Sequence, residues 1–199
     1  MSETPGVMGK GRLEAFTDGV VAIIITIMVL ELKTPNGFDF AALRTIWPTL
    51  AMYAMSFVYV GIYWNNHHHL MHAVHRVNGA VLWANLHLLF WLSLVPFTTR
   101  WMGEGFADGR PTIPVAVYGV SLLTPAVAYS FLVRALITAN GKDSAIARAI
   151  GGDLKGYISL MFYVAGIAAT FWQPWAGVAA YVTVAAIWFL PDRRIEKPR

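Results

Sequence analysis

Six apolar stretches, each about as long as a helix needs to cross a bilayer, divide the chain. They run over 13–32, 43–66, 77–101, 113–139, 156–172 and 175–190. Breaks at Thr34-Pro35-Asn36-Gly37, Gly103 to Pro114 and Asn140 to Asp153 separate them. The last two are short and parted only by Gln173 and Pro174, which predicts a tight helical hairpin stopped at the proline. Pro96 and Pro125 fall inside long spans and predict kinks. The first stretch is the most unusual. An almost pure aliphatic run from Val20 to Leu30 follows an arginine, Arg12, and an aspartate, Asp18, at the head of the helix. Ionisable groups held at membrane depth are costly, so they face protein or water and mark a pathway or a structural joint.

Composition agrees with this pattern. With 57% hydrophobic and 13% charged residues, the chain is expected to be an all-α polytopic membrane protein of six transmembrane helices, one repeat and one domain over 1–199. The absence of cysteine excludes disulfides, thiolate catalysis and Cys-based metal sites. A cleavable signal is not expected, because the first apolar run is long, lacks a small-residue cleavage site and leads directly into Glu31 and Lys33. The formal charge of +4 does not imply nucleic acid, since a basic edge on a membrane protein faces the cytoplasm and its anionic lipids. Lys10, Arg12, Arg76, Arg134, Lys142, Arg148, Lys155, Arg193, Arg194, Lys197 and Arg199 fall on one side. Lys33, Arg44, Arg100 and Arg110 fall on the other, 11 against 4, so both termini are predicted to be cytoplasmic. Trp47, Trp64, Trp101, Trp172, Trp175 and Trp188 lie near predicted helix ends, as interfacial anchors do.

At 100° per residue, Ile23, Ile27 and Leu30 share one face of the first helix within about 60°, with Thr26 at its edge and Phe16 and Gly19 nearby. On periodicity alone such a stripe is packing or lipid-facing surface as readily as a pore lining. Asp18 points away from it. It is read as a joint within its own subunit, bonded to His67, His68 or Asn85, while Arg12 either closes the same network or snorkels to the interface. Five of the six histidines, His67, His68, His69, His72 and His75, crowd the end of the second span. His68, His72 and His75 follow helical spacing that could present imidazoles to zinc, but no carboxylate lies within the cluster, and the expectation is of no metal site. His87 in the third span is read as a buried side chain satisfied by a neighbouring helix, with a relay role as the alternative.

Arg12, Phe16, Thr17 and Asp18, followed by the aliphatic run to Leu30 and Glu31, resemble the R-x-x-x-F-S-D signature opening the first helix of the transmembrane protein 175 family, the lysosomal potassium channel and its prokaryotic relatives. Tyr63-Trp64 with His67-His68, Asn85-Leu86 through Leu94-Val95-Pro96-Phe97, Tyr118-Gly119 and the ending Trp188 to Arg194 resemble the bacterial members in order, over nearly the whole chain. Thr17 departs from the usual serine but keeps a hydroxyl, and His69 stands where arginine is expected. The resemblance implies a potassium-favouring cation channel in the cell's inner (plasma) membrane. A single six-span repeat implies a homotetramer with the first helix lining the pore. It implies that Ile23 makes the narrowest ring, that Ile27 and Leu30 form further apolar rings and that Thr26 adds a hydroxyl. Potassium would be the permeant species, with no cofactor, and the chain would not be an enzyme. The T-V-G-Y-G filter of common potassium channels is absent, and no oxygen of an isoleucine ring replaces a hydration shell. Selectivity is therefore expected to be modest, favouring larger alkali cations that shed water readily. Two other classes compete. A secondary transporter or proton-coupled carrier would use Asp18, His87 and the histidine cluster, though inverted repeats and paired broken helices are not visible. A membrane enzyme would need a phosphate loop, nucleophile elbow or carboxylate-rich metal site, and none is present.

Overall fold

Backbone polar groups inside a bilayer must be satisfied within their own segment, which leaves helices as the form for long aliphatic runs such as Val20 to Leu30. The computed structural model describes residues 9–150 and 154–189, apart from the side chains of 149 and 150. The described residues form α1 (Lys10–Leu30), α2 (Phe40–Thr45), α3 (Trp47–His72), α4 (Gly79–Leu92), α5 (Val95–Ala107), α6 (Thr112–Asn140), α7 (Ala145–Ile150), α8 (Leu154–Thr170) and α9 (Pro174–Phe189), with no strand among them. The expected tail beyond Phe189, including Arg193, Arg194, Lys197 and Arg199, lies outside the described residues.

Among the described residues, six helical segments correspond to the six expected crossings: α1, α3, the α4–α5 pair, α6, α8 and α9. Three of them, α1, α4–α5 and α6, are both long and apolar enough to span by length and composition. The 26-residue α3 has the length but carries tyrosine, tryptophan and histidine along it, and α8 and α9 are apolar over 17 and 16 residues. The protein is an all-α, multi-pass membrane protein.

Several boundaries differ from those predicted. The second crossing starts at Trp47 rather than at 43, because Asp39 caps a separate short helix: its carboxylate accepts from the Ala42 amide at 2.8 Å. It also runs on to His72, so His67, His68 and His69 lie on α3 rather than after it. The third crossing starts at an Asn78 cap, whose Oδ1 accepts from the Val81 amide at 3.0 Å, and continues to Ala107. It is interrupted at Ser93-Leu94, just before the predicted kink at Pro96. Pro96 offers no N–H to the Leu92 carbonyl and its ring crowds that group, so the chain tightens into i−3 bonding, Leu94 N to Trp91 O at 3.2 Å. Pro125, by contrast, sits buried inside an unbroken α6. Pro174 opens α9 rather than closing α8, which ends at Thr170, where the ring's fixed φ suits a first turn.

Two buried clusters hold the helices. Leu13, Val21, Ile24 and Met28 of α1 join Val60, Leu70 and Met71 of α3, Leu88 and Leu92 of α4, and Leu132 and Leu136 of α6. Met52 and Tyr59 of α3, Met102 of α5, Tyr118 and Leu122 of α6, Tyr163 of α8 and Tyr181 of α9 form the second. Between helices the glue is hydroxyl chemistry. Ser56 and Tyr118 lie 2.8 Å apart, Thr99 Oγ1 is 2.7 Å from Ser56, and Thr98 is 2.8 Å from Ser121. Close approach of α6 to the α8–α9 hairpin needs Gly119, since a Cβ there would fall on the Tyr181 ring and against Ile167.

Candidate functional site

The first helix buries one stripe and exposes the other. Leu13, Thr17, Val21, Ile24 and Met28 are buried, at a spacing of three and four residues, on a helix packed against α3, α4 and α5. On the opposite side Ile23, Ile27 and Leu30 are 58%, 41% and 81% exposed in the single chain, and Phe16 and Thr26 lie with them. The Thr26 hydroxyl donates back to the Ile23 carbonyl at 2.9 Å, which occupies its proton and leaves its oxygen lone pairs outward.

Two polar joints tie this helix to its neighbours, and they are not paired as the sequence suggested. Asp18 is bonded to none of His67, His68 and Asn85. Its Oδ1 instead accepts the indole N–H of Trp64 at 2.9 Å, because the rotation of α3 turns Trp64 toward α1 and His67 into the core. Thr17 is the buried member of the motif. Asn85 Nδ2 donates to the Thr17 hydroxyl at 2.9 Å while Asn85 Oδ1 lies 3.0 Å from His67 Nε2, so α1, α4 and α3 meet in one chain of bonds. Every fully buried side-chain polar atom among the described residues is bonded. That completeness is what makes such a chain stabilising rather than costly. Arg12 is exposed and makes no ion pair with Asp18 among the described residues. His68 stacks on the Trp64 indole, ring centroids 6.0 Å apart, so it backs the Asp18 joint without touching it.

The histidine cluster divides. The helix ends at His72, and His75 lies beyond it, so the expected face of His68, His72 and His75 does not exist. Asn140 explains the departure: its Oδ1 accepts from the His75 and Arg76 amides at 3.0 and 2.9 Å and its Nδ2 donates to the Arg76 carbonyl at 3.0 Å, holding this non-helical stretch against the end of α6. His87 is exposed rather than buried. Its Nε2 accepts from Trp91, one turn along the same helix, at 2.8 Å, and from the neighbouring α6 it meets only the Phe131 ring, stacked at 6.1 Å, rather than a hydrogen-bond partner.

At the far end of α1 lies a group that the sequence reading did not single out. Arg100 on α5 bonds Glu31 through Nη1 and Glu104 through Nε at 3.2 Å, and Lys33 Nζ meets Glu104 at 2.7 Å. Two clefts open beside it, and Glu31, Arg100 and Glu104 line both. The available signal was the i, i+4 spacing of Arg100 and Glu104, which on a helix places opposite charges together.

A helical bundle with long apolar spans and an outward apolar stripe on its first helix is that of a multi-pass membrane protein. Comparison with known proteins gives the family. Residues 12–96 match the model of the endosomal/lysosomal potassium channel TMEM175. The chain is 55% identical over 191 residues to a potassium channel of Chryseobacterium sp. strain P1-3, covering 96% of this chain and 97% of that one. It is 26% identical over 137 residues to the human endosomal/lysosomal proton channel TMEM175, covering 66% of this chain and 26% of that one. Among solved structures, the crystal structure of a lysosomal potassium-selective channel TMEM175 homolog from Chamaesiphon minutus matches with a TM-score of 0.80 and 27% identity, over 93% of this chain and 97% of that one. The chain belongs to the TMEM175 family, a family of ion channels rather than of enzymes.

Proposed function

We propose that this protein is a passive potassium-permeable channel, one channel domain per chain, that assembles as a homotetramer in the plasma membrane with both termini in the cytoplasm. In this reading α1 of each subunit lines the pore, Ile23 forms the narrowest ring, Ile27 and Leu30 form further apolar rings, and Thr26 contributes hydroxyl oxygens. No cofactor is needed. The observation that carries it is the division of α1: one stripe is buried in its own subunit while Ile23, Ile27 and Leu30 are left uncovered. The names of the bacterial relatives support potassium as the permeant ion.

The chemistry of such a pore follows from what it lacks. Isoleucine offers no oxygen to replace a hydration shell, so a narrow apolar ring blocks by dewetting and admits most readily the cation that surrenders water at least cost. Potassium should exceed sodium, modestly. Asp18, held by Trp64, sets the rotation of α1 and so the aim of Ile23.

The test is potassium flux into liposomes holding the purified protein, beside Ile23→Asn, with sodium as competitor and an imposed proton gradient as control. Saturation-free flux that Ile23→Asn renders less selective supports the channel and its ring together. Flux that requires the proton gradient would overturn this reading in favour of a coupled carrier using Asp18 and the histidines.

A further inference from the structure

His68 and His72 stand one turn apart at the exposed end of α3, with ring centroids 4.5 Å apart and ring planes at 78°. Their Nε2 atoms face each other at 3.1 Å. Two ring nitrogens this close share either a proton or a cation. With metal–nitrogen bonds of about 2.05 Å, an ion bound equally to both would subtend an angle of about 98°, between the 90° of square or octahedral sites and the tetrahedral value of about 109°.

We propose that His68 and His72 form a two-ligand site for a divalent transition ion of the zinc, nickel or copper class, with water completing the coordination shell. The neighbouring histidines do not take part. His67 is turned inward to Asn85, His69 meets the His68 ring edge-on at 5.8 Å, and His75 has left the helix. The site is therefore a pair, in keeping with the absence of any metal-ready group of three or more His, Cys, Asp or Glu among the described residues. Its position gives it leverage. The His68 ring that would be fixed by the ion is the one on which Trp64 lies, and Trp64 donates to Asp18 of α1.

The site is tested by binding alone, so its failure and the failure of the channel reading are distinguishable. Untagged full-length protein in detergent is titrated with nickel chloride by calorimetry, and with copper chloride while tryptophan emission is followed. One ion per chain is expected. His68→Gln and His72→Gln should each weaken binding about tenfold or more, whereas His69→Gln and His75→Gln should leave it within about twofold. Copper quenching should fall in Trp64→Phe, because that indole stacks on the His68 ring. Binding unchanged in His72→Gln, or lost equally in His75→Gln, overturns the proposal. His72 is exposed, and an unaltered melting temperature of His72→Gln separates loss of a ligand from loss of fold.

Discussion

The amide of Asn85 donates to the hydroxyl of Thr17 at 2.9 Å, between two side chains that are both buried, and this bond fixes α4 to the first helix. Because the same amide group also faces His67, its loss strands two partners at once. Asn85→Leu is expected to cost about 1 to 3 kcal/mol, the range for hydrogen bonds inside helical membrane proteins plus an unpaired group. That corresponds to a fall of about 3 to 10 °C in melting temperature in detergent. Thr17→Ser keeps the hydroxyl and should stay within about 1 kcal/mol, the worth of one methyl. A Thr17→Val protein as stable as wild type would show the bond to be idle.

Trp64→Phe removes the indole N–H from Asp18 but keeps an aromatic ring beside His68. Both side chains are exposed, so the fold should hold to within about 1 kcal/mol. The effect is expected in transport: potassium flux through the reconstituted variant should differ from wild type at equal protein. Unchanged flux together with unchanged stability would remove the joint from any account of α1.

Thr26 lies on the exposed stripe with its proton turned back to the Ile23 carbonyl. If α1 lines the pore, Thr26→Ala lowers the potassium-to-sodium permeability ratio, and Thr26→Ser, which keeps the oxygen, restores it. Reversal potentials under bi-ionic conditions measure this directly. Equal ratios for all three proteins would take Thr26 out of selectivity.

Glu104 is shared by Lys33 and Arg100, and all three are partly exposed. Such exposed pairs contribute little to stability and are screened by salt. Glu104→Gln should lower the melting temperature slightly at low ionic strength and not at all near 1 M salt, where the screening length is about 3 Å. A drop of the same size at both salt concentrations would point to packing instead of charge.

Gly119→Ala places a methyl on the Tyr181 ring and Ile167, where α6 meets the hairpin. Overpacking of this kind costs about 1 to 3 kcal/mol. Tyr181→Leu should relieve part of the cost in the double variant, and additive losses would argue that the two positions do not meet.

The chain by itself determined the class and the number of crossings. Val20 to Leu30 has one low-energy form in a bilayer, since only a helix satisfies its own backbone there. The period of 3.6 placed Ile23, Ile27 and Leu30 on one face, but packing against the other helices decided that Leu13, Thr17, Val21, Ile24 and Met28 are the buried side. What the chain could not decide was which distant polar groups meet. Asp18 and Trp64 are 46 residues apart, and Asn85 and Thr17 are 68 apart. Local spacing names donors and acceptors, but their pairing depends on how far α3 and α4 are rotated and slid against α1, and the packing of both buried clusters sets that. Tertiary contact likewise drew His75 off α3, because Asn140 bonds the backbone of His75 and Arg76 in place of a further helical turn. A few hydrogen bonds made across the bundle outweigh the weak propensity of one more turn, and propensity is all that local sequence supplies.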